Sequence, residues 1–153
     1  MSAGLRPGPD AGPFEVWNFA CGVLREGAGV EWADMFAVDG VMEMPLAPGG
    51  FPKRIEGREE IRRLMAPVQR KAYELHPVTR SDLVVHRTDD PEVVVCEFVS
   101  HRTEASTGDV YVMPYVHVVR VRDGEILLLR VYAPFHLAPP SSAAVLAELG
   151  RTP

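Results

Sequence analysis

The sequence predicts an α+β fold in which helices come first and a long antiparallel sheet follows. Two observations carry this. From Val93 to Phe135 three extended runs follow one another, Val93 to Glu104, Tyr111 to Arg122 and Glu125 to Ala133, rich in Val, Ile, Leu and Tyr. They are separated by Ser106-Thr107-Gly108-Asp109 and by Asp123-Gly124, both turn sequences. Upstream, apolar residues recur instead at helical spacing, which sets helices beside the sheet.

Taken in order, Met1 to Pro13 is rich in Gly, Pro and small residues and reads as a flexible start without a signal-peptide core. Phe14, Trp17, Cys21 and Leu24 then mark an amphipathic helix from Pro13 to about Glu26, ended near Gly27 and Gly29. A second short helix is expected over Val30 to Phe36, carrying Trp32 and Phe36. Asp39-Gly40 should turn the chain into a strand, Val41 to Pro45. After a loop at Leu46 to Pro52 and an extended piece at Lys53 to Glu56, the positions Ile61, Leu64, Met65, Val68 and Ala72 predict a third helix from Arg58 to about Leu75. Pro67 is its expected kink. His76-Pro77 stops it, and Val78 to Arg87 alternates as a strand before the turn at Thr88 to Pro91. Beyond the sheet, Pro134, Pro139 and Pro140 break the chain, and Ser141 or Ser142 can cap a last short helix closed by Gly150.

The turn at Asp123-Gly124 decides which side chains share a face. A two-residue loop sets His117 opposite Arg130 and Tyr115 opposite Tyr132. A three-residue Arg122-Asp123-Gly124 loop sets His117 opposite Leu129 and Tyr115 opposite Val131. The second is preferred, because it gathers Met113, Tyr115, His117, Val119 and Val121 with Leu127, Leu129, Val131 and Ala133 on one apolar face. Arg120, Arg122 and Arg130 then fall on the other, where their heads reach water.

Length and composition bound the function. With 153 residues, a single domain with a substantial core is expected. A net charge of -5, with no basic patch interleaved with aromatics, argues against nucleic acid as the main partner. Cys21 and Cys96 are far apart with no CxxC spacing, and His76, His86, His101, His117 and His136 are scattered. Neither a disulfide framework nor a metal site is expected. No apolar run is long enough to span a membrane, so a cytoplasmic location without membrane association is the expectation.

Three stretches carry a resemblance to a known family. They are Trp32-Ala33-Asp34-Met35-Phe36-Ala37-Val38-Asp39-Gly40-Val41-Met42-Glu43-Met44-Pro45, then Glu56-Gly57-Arg58-Glu59-Glu60-Ile61, and Tyr115 to Ile126 with Arg130-Val131-Tyr132. In order and spacing the chain resembles the nuclear-transport-factor-2-like superfamily and, within it, the SnoaL-like polyketide cyclases. The tail Arg130-Val131-Tyr132-Ala133-Pro134-Phe135 is more loosely similar to phenazine-biosynthesis proteins of that superfamily. The resemblance implies a curved sheet wrapped around the N-terminal helix as a cone with one open end. It divides the chain into a flexible stretch at 1–13, a SnoaL-like domain at 14–138, and a short helix and tail at 139–153. It also implies a cofactor-free cyclase or isomerase of secondary metabolism acting on a bulky apolar polyketide-like substrate.

The acids that such chemistry uses are missing. Relatives resembling ketosteroid isomerase place an acid on the first strand, a tyrosine on the first helix and an acid on the penultimate long strand. Those positions match Met44, Ala20 and His117 here, and neither Met nor Ala moves a proton. An Arg-Glu-Tyr sequence on the last strand of cyclases and phenazine proteins is Arg130-Val131-Tyr132 here. That loss also argues against the carboxylate pair of the superfamily's epoxide hydrolases.

What remains is His117, as general acid or base, with Tyr115 beside it as hydrogen-bond donor to a substrate carbonyl. His117 is equally readable as a core histidine satisfied by a neighbour. Glu43, next to Met44, should point outward to a surface partner. On the Val93 strand the set Cys96, Phe98, Ser100 and Arg102 is favoured for the inner face, making Ser100 and Arg102 pocket groups. The opposite register brings in Glu97 and His101. Trp17, Met42, Met44, Phe51, Met65, Phe98, Met113, Leu129 and Val131 complete the expected lining for a large apolar ligand, although these methionines and aromatics are also simply core.

A second function from another class is a non-catalytic protein that holds or delivers a hydrophobic metabolite in the same pocket. Either would be a homodimer, burying an outer face of Val112, Pro114, Val116, Val118, Ile126, Leu128 and Tyr132 with the three arginines towards the rim.

Overall fold

The computed structural model describes residues 5–26, 31–75, 78–104 and 107–137, with 25–26 and 70–75 described by backbone alone. The long helix α1 (Pro13–Glu26) begins with Pro at its first position, where no N–H is needed, and buries Val16, Trp17, Ala20 and Val23 against the sheet. Phe14, Cys21 and Leu24 pack around the edge of that stripe, so the buried face is rotated by about one residue from the expected one.

The expected second helix is a single 3₁₀ turn, Trp32–Met35, and the chain enters strand β1 (Phe36–Glu43) directly after it. The strand therefore starts before Asp39-Gly40, which lies inside it at an irregularity rather than at a turn. Gly40 is required there. A Cβ at this position would sit 2.9 Å from the Ile126 carbonyl oxygen and 3.0 Å from that of Ala37. Strand β2 (Arg54–Glu56) pairs back on β1, Gly57 turns at φ +91°, and helix α2 (Arg58–Leu75) buries Ile61, Leu64, Met65 and Val68 as its periodicity requires. The last-helix expectation at 141–150 falls outside the described residues.

Strands β3 (Val78–Arg87), β4 (Val93–Thr103), β5 (Val110–Arg122) and β6 (Glu125–Tyr132) form an antiparallel meander. The six-stranded sheet has the order β2-β1-β6-β5-β4-β3, and β1 runs parallel to β6. The expected all-antiparallel sheet is thus a mixed one, curved and unclosed, because the chain crosses over by way of α2 to bring its first strand beside its last. Both helices lie on one side of it, α1 against β4, β5 and β6 and α2 against β1 and β2.

The β5–β6 hairpin corrects the preferred turn. Asp123 (φ +53°) and Gly124 (φ +75°) form a two-residue loop of type I′ character, with Arg122 opposite Glu125. A bulge then intervenes between Arg120 and Val121, and beyond it Val119 faces Leu129 and His117 faces Val131. His117 is opposite neither Leu129 nor Arg130. The bulge restores by one extra residue on β6 the parity that a two-residue loop alone would have lost, so Met113, Tyr115, His117 and Val119 still share a face with Leu129 and Val131. Nearer the turn, the bulge exchanges the expected places of two residues: Ile126, opposite Val121, is fully buried, while Leu127 is only partly so.

The three arginines do lie on the outer face, each held by acids of the same chain. Arg120 bonds Asp90 and Glu92 at 2.9 and 3.1 Å, Arg122 reaches Glu92 at 2.6 Å, and Arg130 reaches Glu43 at 3.1 Å. No helix among the described residues is long and apolar enough to cross a membrane.

Candidate functional site

The β4 register is settled by its partners. Cys96 faces His117, Phe98 faces Tyr115 and Ser100 faces Met113, and Cys96, Ser100 and Met113 are buried. The inner set is therefore Cys96, Phe98, Ser100 and Arg102. Glu97 and His101 point the other way, Glu97 to His86 and His101 to the Ser81 hydroxyl at 2.6 Å. Glu43 is also outward, bonded to Arg54 and Arg130.

At the centre of the inner face four rings interlock. Phe98 and Tyr115 stack with centroids 5.2 Å apart and planes 6° from parallel. His117 stands edge-on to both, at 4.9 and 5.7 Å, and Trp17 reaches in from α1 to lie 5.5 Å from Phe98. Stacked and edge-to-face contacts of this kind suit ring quadrupoles and hold the rings in fixed places.

The Trp17 indole Nε1–H donates to His117 Nδ1 over 2.9 Å. An indole nitrogen is only a donor, so Nδ1 must be the unprotonated acceptor and the ring proton sits on Nε2. Desolvation deep in the fold pushes the His117 pKa down to about 3, and a donor already aimed at Nδ1 acts in the same direction. At neutral pH His117 is thus an uncharged imidazole that keeps part of its surface accessible. Its Nε2–H has no hydrogen-bond partner among the described residues. The ordinary histidine pKa, near neutrality, is not kept in this environment.

Tyr115 lies beside it, and its hydroxyl accepts a hydrogen bond from Arg102 Nη2 at 3.3 Å, which leaves the phenolic O–H to donate. Cys96, directly across from His117, is fully buried, and desolvation raises its thiol to about 11, so it is no nucleophile. On β4, β5 and β6 the inward positions between Val94 and Arg102, Tyr111 and Val121, and Leu129 and Val131 carry no carboxylate. Among the described residues, no three His, Cys, Asp or Glu side chains gather as a metal site would need.

The other expected lining residues, Met42, Met44, Phe51, Met65, Met113, Leu129 and Val131, are all buried and belong with Trp17 to one apolar cluster. Ala20 and Met44, which match the tyrosine and acid positions of the isomerase-like relatives, are buried within it. Sequence reasoning missed Arg80. Its guanidinium carbon lies 5.1 Å over the Trp17 ring and its Nη2 donates to Asn18 Oδ1 at 3.0 Å. Alternation read back from the partly buried Leu83 and Val85 would have turned Arg80 outward. A bulge between Ser81 and Val84, with Asp82 at φ +55°, turns it in.

Residues 18–129 match the SnoaL-like domain family model. An uncharacterized PhzA/B-like protein of Pseudomonas aeruginosa is 35% identical over 117 residues, covering 76% of this chain and 79% of that protein. Among solved structures, a candidate isomerase from Bacillus subtilis superposes with a TM-score of 0.67 at 27% identity, over 79% of this chain and 85% of that one. A candidate polyketide cyclase from Xanthomonas campestris pv. campestris gives 0.62 at 21% identity, over 86% and 95%. A curved sheet packed on its N-terminal helix, a family match over most of the chain and a relative above 30% identity agree: this chain belongs to the SnoaL-like family, within the nuclear-transport-factor-2-like fold.

Proposed function

We propose that the protein is a cofactor-free cyclase or isomerase that folds an apolar, polyketide-like substrate against the Phe98–Tyr115 stack and polarises one of its carbonyl groups. The observation that carries this reading is the Trp17–His117 hydrogen bond, which fixes His117 as a neutral donor through Nε2–H. A neutral imidazole is a competent electrophile towards a carbonyl oxygen in a water-poor site, and the Tyr115 O–H supplies a second donor. Together they would stabilise the negative charge that develops on oxygen as a carbonyl enolises or is attacked.

Among the described residues, the inward positions of β4, β5 and β6 named above carry no carboxylate, which favours a substrate whose own C–H is already acidic. A β-dicarbonyl carbon of a polyketide-like chain meets that condition, whereas an isolated ketone would need a strong positioned base. Membership in the SnoaL-like family supports the same class of reaction, as does the likeness to a candidate isomerase.

The test is incubation with an aryl-tailed β-dicarbonyl chain, with ring products followed by mass spectrometry and NMR. Cyclised product that depends on protein and falls at least 100-fold in His117→Ala supports the reading. Unchanged product in that variant would overturn the role of His117. The missing base also favours a second reading, a protein that holds a hydrophobic metabolite without converting it. Saturable binding of the same compound with no turnover would select that one.

A further inference from the structure

Arg80 and Ser100 are directly opposite each other on β3 and β4, with side chains on the inner face, and both have donors with nothing to donate to. The Arg80 Nη1 is buried and without a hydrogen-bond partner, and the one side-chain acceptor of this guanidinium among the described residues, Asn18 Oδ1, is neutral and bonded to Nη2. Ser100 is 2% exposed, and its hydroxyl is likewise buried and unpartnered. Opposite residues on one face of an antiparallel pair have their Cβ atoms about 5 Å apart. Two orphaned donors, one of them on a cation held over Trp17, therefore belong to opposed residues of one face. A buried donor left unmade is costly, and the cost recurs here at two neighbouring groups, which an acceptor brought from outside would remove together.

We propose that Arg80 and Ser100 form a carboxylate-binding subsite, and that the ligand of this inner face is an apolar carboxylic acid. The carboxylate would accept from Arg80 Nη1 and Ser100 Oγ, with its charge offset by a guanidinium that no carboxylate among the described residues neutralises. The cation–π contact with Trp17 keeps that guanidinium in place without neutralising it. Trp17 also holds His117, so one indole positions both ends of the site. Ser100 is four residues along β4 from Cys96, the partner of His117, a span of roughly 13 Å that the reach of Arg80 shortens. A ligand with one or two rings between its carboxylate and its reacting carbonyl fits that separation.

This deepens the proposal that the inner face binds ligand, but is independent of whether it catalyses. The experiment compares 2-naphthoate, its methyl ester and 2-naphthyl phosphate by calorimetry and by quenching of tryptophan fluorescence. The acid should bind about 10- to 100-fold more tightly than the ester. Arg80→Gln and Ser100→Ala should each remove most of that difference, and His117→Asn should preserve it. Ser100→Ala removes an unpartnered hydroxyl, so the unliganded variant should melt at or above the parent temperature. Equal binding of acid and ester overturns the carboxylate subsite and leaves the ligand site standing. Binding of none of the three overturns both. Tighter binding of the phosphate overturns the assignment to a carboxylate, as does a Ser100→Ala variant that melts lower, since the hydroxyl would then be structural.

Discussion

Trp17 and His117, 100 residues apart, are joined by a hydrogen bond in which the helix supplies the donor and the sheet the acceptor. That bond exists only while His117 is neutral, because an imidazolium has no lone pair on Nδ1 to accept it. Its folded pKa, pushed down to about 3, is below the unfolded value of about 6.5. A base depressed in the fold contributes stability that is complete above the unfolded pKa and is lost as pH falls through the interval down to about 3. Urea titrations between pH 7 and 4 should therefore show a decline steeper in the parent than in His117→Gln, by at most about 1.4 kcal/mol per pH unit. Nitrogen NMR should show the Nε2–H tautomer throughout. A His117 resonance titrating near pH 6.5 would contradict the geometry.

The same bond predicts how mutations divide. Trp17→Phe keeps an aromatic ring at this buried position, though a smaller one, and frees Nδ1, so the tautomer is no longer fixed. If a neutral donor polarises the carbonyl, turnover in an established assay should fall about 10-fold in Trp17→Phe and about 10²-fold or more in His117→Ala. Glu43→Gln and His101→Ala lie on the outer face and should leave turnover within twofold, although Glu43→Gln weakens contacts to Arg54 and Arg130. Equal losses in the outer and inner variants would move the site elsewhere.

Much of this arrangement was legible in the sequence, and the errors of register have one physical origin. Period-two alternation placed Phe98, Ser100, Tyr115 and His117 on one face correctly, since within an unbroken strand that period is rigid. Bulges are invisible to it. The one near Arg120 made a two-residue turn mimic the parity of a three-residue loop, and so His117 meets Val131 rather than Leu129. The one at Asp82 hid Arg80, whose inward turn is the part of the site that no local pattern announces. The parallel β1–β6 pair was missed for a different reason: adjacency of the first and last strands is a long-range choice that no turn sequence encodes.

Gly40 tests that pairing. Its missing Cβ lets β1 approach the Ile126 carbonyl, and the two nearest atoms, both backbone oxygens, cannot swing aside. Gly40→Ala should cost about 1–3 kcal/mol in chemical denaturation, the range for forcing extra volume into a packed interior. A loss below about 0.5 kcal/mol would mean that the strands separate more easily than the close contact implies. Gly22→Ala, inside α1 with open space around it, should instead be neutral or stabilising.

The outer face of the sheet predicts an assembly. Val110, Val112 and Val84 are 65%, 51% and 48% exposed, and Pro114, Val116, Val118 and Leu128 lie on the same side, with no described helix over them. Ile126, expected in this patch, is withdrawn from it by the bulge. We propose that a second copy of this chain covers the face through a two-fold axis. The charge pattern favours a copy over a foreign partner: Arg120, Arg122 and Arg130 are already matched by Asp90, Glu92 and Glu43, so the patch has an apolar centre and an internally neutralised edge. Such a surface meets itself without like-charge repulsion. Light scattering at micromolar concentration should give twice the mass of one chain. Val112→Asp, which places a carboxylate at an exposed position and disturbs no buried group, should shift the equilibrium to monomer while leaving the far-ultraviolet circular dichroism unchanged. A parent protein that scatters as a monomer would show that this face is not a dimer interface.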